Sequence, residues 1–521
     1  MATDSSNPKG APPDEYLHGP QLLLLTIAIA MATFMEVLDM TIVNVSVPSI
    51  AGTLGVSPNE GTWTISSYSL AAAIMQPLTG WISRQFGEVR TFVTSATLFV
   101  VCSALCGLAT SMPMLVVGRL LQGMVSGPMV PMAQALLMRA YPPQKRGMAM
   151  AIWAMVVFLA PIFGPVLGGW ITDNLSWPWL FYINLPVGLF AAATVWSILR
   201  KRDTERRKLP LDFVGLGLLV IGVGSLQFML DNGNDMDWFN SWVIVAALIT
   251  AIIALTFLIA WELTDAHPII DLHLFQFHNF RIGLLTICLG FFAFFGVTVL
   301  YPLWLQTTAG YTATWAGLAS APVGILGVLL MPFVGRNLNK MNLRIAASAG
   351  FFFFGISMLW LSKMNETASF MQIIEPRLLQ GVGMAFFFLP LNQIMFSGVR
   401  NDAVAGAAGL ATFFRNLSGS LSTAMCIFAW SRRTDFHQTI LAQHVTAGSV
   451  WRDYSAHLGV LGVHSTTSAL AYTNAVVANQ AQTMGANDIF FAYGLLFLAL
   501  MFPVWLARPP FTGAGGAAGA H

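Results

Sequence analysis

The sequence predicts an all-α membrane protein built as two six-helix bundles with two further membrane-spanning helices inserted between them, fourteen spans in all. Three observations predict it. Of 521 residues, 56% are hydrophobic and only 9% charged, against roughly 25% charged in a soluble domain. The apolar residues come in blocks of about 20, the length needed to cross a hydrocarbon core. A pentapeptide, Arg-Leu-Leu-Gln-Gly, occurs at Arg119–Gly123 and again at Arg377–Gly381, which suggests a duplicated half.

This composition excludes a soluble enzyme, a nucleic-acid binder and a disordered regulator. A net charge of +2 offers no basic surface for DNA or RNA. The polar N-terminus (1–20) has Lys9 as its one positive charge. It lacks the basic start, short apolar core and small-residue cleavage site of a signal peptide, so the first apolar block is expected to remain as a helix. Cys102, Cys106, Cys288 and Cys426 lie inside apolar blocks and read as small packed hydrophobes rather than paired or metal-bound thiols.

The expected spans cover 21–47, 63–81, 92–109, 114–137, 149–170, 179–199, 212–230, 238–262, 282–305, 315–334, 345–363, 371–397, 406–430 and 488–507. An even number places both termini on one side. With that side cytoplasmic, eighteen of the 25 Lys and Arg residues fall in inner segments and four in outer ones. Basic loops resist translocation, so this bias orients the chain. The predicted organisation is a cytoplasmic tail (1–20), an N-terminal bundle (21–199), a basic loop with the inserted helices and a connector (200–281), a C-terminal bundle (282–507) and a second tail (508–521). The longest connection, 431–487, lies on the outer side and contains no proline. It is expected to form a mobile loop, or one or two helices lying against the outer face and serving as a docking surface.

The repeated pentapeptide has an offset of 258 residues. A second echo, from Thr62-Trp63 to Gly80 and from Thr314-Trp315 to Gly335, has an offset of 255. Duplicated bundles of parallel topology are a transporter architecture.

Ionisable residues within spans are costly and mark function by default. Glu36 and Asp39 lie three residues apart on one face of the first span. Counted at 1.5 Å per residue, Asp39 is about 13 Å, Glu36 about 18 Å and Arg119 about 9 Å below the outer surface. A buried Asp39–Arg119 pair is expected if spans one and four touch, as a proton switch or as a static structural pair. Arg377 is the repeat mate of Arg119 and reads as more structural. Arg415, about 14 Å from the inner surface, is a candidate for binding substrate or for helix pairing. In the fifth span, Pro161, Gly164, Pro165, Gly168 and Gly169 combine proline kinks with small-residue contact, as suits a sliding seam between halves. No histidine falls within a span, which leaves out a histidine relay.

These residues resemble the fourteen-helix drug:proton antiporter branch of the major facilitator superfamily. Leu38-Asp39-Met40-Thr41-Ile42-Val43-Asn44-Val45 is similar to its first-helix motif. Arg119–Gly123, with Gln122, is similar to the fourth-helix motif. Gly164–Gly169 is similar to the antiporter motif of helix five, and Trp177–Gly188 to the helix-six signature. The resemblance covers the whole chain. Two motifs depart from it. The superfamily's inner-loop motif appears as Gly80–Val89, with Arg84 at its acidic position and Gln85 at its first basic one, so the charge latch between halves is in doubt or rebuilt with Glu88 and Arg90; Pro178 replaces the common Arg of the helix-six signature.

The resemblance implies a major facilitator fold, alternating access and proton-coupled efflux of hydrophobic toxic compounds, with a proton gradient in place of any cofactor. The buried charges and these motifs together put proton coupling on Asp39, Glu36 and Arg119, of which Asp39 and Arg119 stand in the family's motifs, and leave Arg415, Arg377, Gln122 and Asn44 as candidates for substrate binding or helix pairing. The resemblance also carries partners and a location. It implies a Gram-negative inner membrane, a periplasmic membrane-fusion adaptor (EmrA-like) and a TolC-type outer-membrane channel as partners, with 431–487 as the adaptor contact. The alternatives are a uniporter or importer of an amphipathic metabolite, or a polytopic membrane enzyme using Asp265, His267, Asp271, His273 and His278 of the inner connector.

Overall fold

The computed structural model describes residues 17, 19–56, 58–61, 63–142, 145–206, 210–233, 236–265, 268–311, 313–365, 368–400, 403–445 and 466–511. Among these, all regular structure is helical. The first half comprises α1 (Gly19–Ile42), α2 (Val47–Leu54), α3 (Pro58–Gly61), α4 (Trp63–Met75), α5 (Thr79–Phe86), α6 (Glu88–Gly107), α7 (Met112–Ser126), α8 (Met129–Ala140), α9 (Arg146–Asn174), α10 (Trp179–Tyr182) and α11 (Asn184–Leu199). The inserted pair is α12 (Phe213–Asn232) and α13 (Trp242–Thr264). The second half comprises α14 (His278–Thr307), α15 (Ala313–Asn337), α16 (Leu343–Leu361), α17 (Phe370–Phe396), α18 (Val404–Val445), α19 (Thr466–Ala499) and α20 (Met501–Val504).

Ten spans among the described residues are long and apolar enough to cross a membrane, or eleven with α9, which bends by 44° between Pro161 and Val166. The remaining three of the fourteen expected spans have identifiable causes. The second is split into α4 and α5 by a turn at Gln76–Leu78, and the fourth into α7 and α8 at Gly127-Pro128. Pro77 and Pro128 have no N–H to continue the helical ladder. The thirteenth lies within α18, which is 42 residues long but diluted by Arg415 and a polar extension.

That extension revises the expectation for 431–487. No proline ends α18 after the span, and it continues unbroken to Val445, while α19 already begins at Thr466. The described parts of the stretch are thus helical extensions of two spans, not separate helices lying on a face. They pair with each other. The Trp430 indole donates to the Gln482 carbonyl at 2.9 Å, and Asp488 meets Arg433 at 2.6 Å and His437 at 2.7 Å.

The inserted helices pack on each other and against α4 of the first half and α18 of the second. Met229, Leu230, Trp238 and Ile244 form a small core with Ala424 of α18, and the Trp238 ring meets Phe428 edge-on at 5.6 Å. The pair therefore bridges the two halves along one side. An Asp212 cap, whose carboxylate accepts from the N–H groups of Val214 and Gly215 at 3.0 and 2.9 Å, fixes where α12 starts.

At the end of the bundle that carries the basic loops, the halves touch backbone to backbone. A Cβ on Gly80 would lie 2.8 Å from Cα of Gly406, one on Gly147 would lie 2.7 Å from the Gly335 carbonyl oxygen, and one on Gly409 would lie 2.5 Å from that of Gln76. Only glycine permits this approach. Farther in, Phe158 of α9 packs on Phe388 of α17 at 4.9 Å, and Trp153 stacks on the same ring at 6.2 Å. Among the described residues, the ion pairs of Glu88 and Arg90 do not join the halves. Glu88 pairs with Arg139 at 3.3 Å and Arg90 with Asp203 at 3.7 Å, all within the first half and its trailing loop. The latch rebuilt from Glu88 and Arg90 is thus corrected to glycine contacts.

Candidate functional site

Asp39 lies near the end of α1 and is fully buried, as is Arg119 of α7. The Arg119 guanidinium donates to Oδ2 of Asp39 at 2.5 Å. Oδ1 accepts from the Asn184 amide at 2.7 Å and from the Gln122 amide at 3.3 Å. Four side chains from α1, α7 and α11 thus form one cluster around a single carboxylate. An ion pair withdrawn from water persists only with such good geometry and with its remaining polar atoms satisfied.

A second layer holds these groups in place. Arg119 Nε donates to the Thr64 carbonyl at 2.9 Å, and Nη1, the nitrogen that also serves Asp39, donates to Gln122 Oε1 at 2.8 Å. Ser103 Oγ accepts from Gln122 and Asn184 at 3.2 and 3.0 Å and donates to the Phe181 carbonyl at 2.9 Å. The guanidinium also lies over the Tyr68 ring, 4.2 Å from its centroid, a cation–π contact strengthened by desolvation. Arginine suits this position because its planar fork serves several acceptors at once.

Glu36 sits one turn earlier on α1, buried, with Oε2 lacking a hydrogen-bond partner. The backbone N–H of Val130, in the first turn of α8, lies beside its carboxyl group. The break at Gly127-Pro128 is what brings that free N–H into the bundle, since the first N–H groups of a helix have no internal acceptor.

The other residues singled out from sequence fall elsewhere. Arg377 is buried over the Tyr301 ring at 4.3 Å and donates to Gln380. Arg415 is buried between Phe291 and Trp153, 5.2 and 5.9 Å from the ring centroids, so it faces the first half across the interface. Asn44 is exposed in the turn after α1 and takes no part in the cluster. The glycine face of α9 turns to its own half: Gly164 is buried against Thr41 of α1, and Thr172, bonded to the Gly168 carbonyl, meets Ser46 at 2.6 Å. Pro161 is exposed, Gly169 has open space around it, and Pro165 lies on the bent stretch. The four cysteines are free thiols. Of the inner-connector residues, Asp271 caps the N–H of His273 at 3.1 Å and His278 meets the Leu506 carbonyl at 2.8 Å; His267 lies outside the described residues.

Sequence reasoning misses Asn184, Ser103 and the Thr64 carbonyl. Asn184 has a signal, since it stands within the quoted helix-six signature. Ser103 and a main-chain carbonyl have none.

The Major Facilitator Superfamily family model matches residues 29–423. The chain is 44% identical over 497 residues to the multidrug export protein EmrB of Haemophilus influenzae, covering 95% of this chain and 97% of that one. It is 44% identical to EmrB of Escherichia coli K12 over 508 residues (97% and 99%) and 44% identical to the fatty acid resistance protein FarB of Neisseria gonorrhoeae over 501 residues (96% and 99%). Among solved structures, the proton:xylose symporter XylE superposes with a TM-score of 0.61 at 14% identity, covering 95% of this chain and 97% of that one. The human organic anion transporter MFSD10 gives 0.56 at 15%, with 94% and 100% covered. These structural likenesses carry the fold alone. The chain is a multi-pass membrane transporter that belongs to the Major Facilitator Superfamily and, within it, to the EmrB-like multidrug export proteins.

Proposed function

We propose that the protein exports hydrophobic toxic compounds in exchange for protons, with Asp39 as the group that takes up and releases the proton. The observation that carries this reading is the buried 2.5 Å Arg119–Asp39 pair. Protonating Asp39 cancels the ionic attraction, frees the guanidinium and removes the side-chain tie between α1 and α7. Deprotonation restores the pair. Glu36, buried one turn away with an unpartnered oxygen, is a second site for a proton or for a cationic group of the drug. A proton moving down 100 mV supplies about 2.3 kcal/mol, enough to hold a drug gradient of roughly fiftyfold.

The eighteen-to-four bias of basic residues supports cytoplasmic termini. The Gram-negative relatives support an inner-membrane location. With that orientation, the glycine contacts close the cytoplasmic side. The names of the relatives support drugs and fatty acids as substrates. We further propose a periplasmic membrane-fusion adaptor (EmrA-like) and a TolC-type outer-membrane channel as partners, with the α18–α19 extensions as the adaptor contact.

The test is ethidium transport by purified protein in vesicles under an imposed pH gradient. The wild type is expected to transport against the drug gradient, and Asp39→Asn to lose gradient-driven transport. Full pH-driven transport by Asp39→Asn refutes the role given to Asp39.

A further inference from the structure

The two halves grip a buried arginine in the same way, yet only one of them supplies a carboxylate. In the first half, Gln122 accepts from Arg119 through Oε1 and gives its amide N–H to Asp39. In the second, Gln380 likewise accepts from Arg377 through Oε1. The 258-residue offset between the arginines carries Asp39 onto Val297, a fully buried aliphatic residue on α14. Arg377 consequently has no carboxylate partner among the described residues. Its Nε and the amide nitrogen of Gln380 are buried hydrogen-bond donors with nothing to donate to. A guanidinium left this way is desolvated without a counter-charge, and two unused donors on residues already joined by a hydrogen bond are the elements of a carboxylate grip.

What lies beyond the grip is apolar and runs toward the first half. On α17, Arg377, Met384 and Phe388 follow one helical stripe, and on α14 so do Tyr301, Val297 and Phe294. From Arg377 to Phe388 the helix rises about 16 Å. The far ends of both stripes meet the same ring of the opposite half: Phe158 lies 4.9 Å from Phe388 and 6.1 Å from Phe294. The packed α14–α17 seam therefore has a cationic, donor-rich head and an aromatic foot where it meets the first half.

We propose that Arg377 and Gln380 bind the carboxylate of an amphipathic acid, whose apolar chain lies along the α14–α17 stripe toward Phe294 and Phe388. This rests on the export reading above and assigns a binding site to its acidic substrates, with Asp39 reserved for the proton. The grip reproduces on a ligand what the first half does with its own side chain.

The test measures binding of decanoate and of decanol, which has the same chain without the acid, to the purified full-length protein in detergent at pH 8. Wild type is expected to bind decanoate at least tenfold more tightly than decanol. Arg377→Gln is expected to remove that preference, and Arg377→Lys to restore part of it. Val297→Asp, which supplies an internal carboxylate, is expected to suppress decanoate binding, and it carries the test should Arg377→Gln fail to fold. Equal affinity for acid and alcohol in the wild type overturns the proposal, as does a preference that survives Arg377→Gln or Val297→Asp. Binding needs no gradient, so a wild type that binds decanoate but fails in the pH-driven ethidium assay refutes the export reading and leaves the carboxylate grip standing.

Discussion

Asn184 donates to Oδ1 of Asp39 at 2.7 Å, tying the start of α11 to a carboxylate on α1 that lies 145 residues earlier. The bond is fully buried, and its acceptor carboxylate is also the acceptor of Arg119. A hydrogen bond to a charged group is worth about 1.5–3 kcal/mol. Asn184→Ala is therefore expected to lower the unfolding free energy by roughly that amount, read as an earlier thermal midpoint in detergent, and to slow ethidium export without abolishing it. Unchanged stability would mean that Gln122 alone satisfies that oxygen.

Glu36 differs from Asp39 in what surrounds it. Asp39 accepts from three side chains, whereas Glu36 has an oxygen with no partner. Removing its charge breaks no ion pair. Glu36→Gln is expected to keep gradient-driven transport within roughly tenfold of wild type, while Asp39→Asn loses it. Vesicle assays on the two variants at matched protein levels decide, and equal loss in both would contradict the assignment of the proton to Asp39.

Much of this site is legible in the amino-acid sequence. The spacing of Glu36 and Asp39 places them on one face, and the depth count puts Asp39 and Arg119 at compatible levels, so that a contact of α1 with α7 is all the pair requires. Asn184 is harder, because an amide at a span's start is ordinary at a membrane surface and nothing local says that it turns inward. Proline at 77 and 128 is visible, but an apolar average over 20 residues smooths over a break of two or three residues. The outer extensions escape for the opposite reason: 431–445 is polar, so hydropathy ends the span where the helix does not end. The facing direction of the α9 glycines depends on which neighbour they meet, and that is a property of the packed bundle.

Glu88 is buried and its partner Arg139 is half exposed, at 8% and 47% of side-chain surface. Removing Arg139 leaves a buried carboxylate without its counter-charge, which costs more than losing an exposed pair. Arg139→Ala is expected to destabilise the protein by about 1–3 kcal/mol, and adding Glu88→Gln to recover most of that loss. Thermal unfolding of the two single variants and the double variant measures the coupling. Because both residues belong to the first half, cross-linking between halves should be unaffected by the double variant. A change there would assign the pair to the interface.

The glycine contacts make a sharper demand. Gly80 and Gly406 approach so closely that a Cβ on the former would fall 2.8 Å from the latter's Cα, and a Cβ on Gly335 would lie 2.5 Å from that of Ala151. Both obstacles are fixed to backbone, so no rotamer change relieves them. Gly80→Val and Gly335→Val should each wedge the halves apart at the basic-loop end while leaving each half intact, since Gly80 and Gly335 press on residues of the opposite half. The closed arrangement is then penalised, and the equilibrium moves toward opening at that end by as much as the clash costs. Spin labels at Arg84 and Arg400, on opposite sides of the contact, are expected to report a longer mean distance in both variants than in wild type. Ethidium export is expected to fall at least tenfold, because a transporter that cannot close one end cannot complete its cycle. A valine variant with wild-type distances and wild-type export would show that closure does not depend on backbone contact at these glycines.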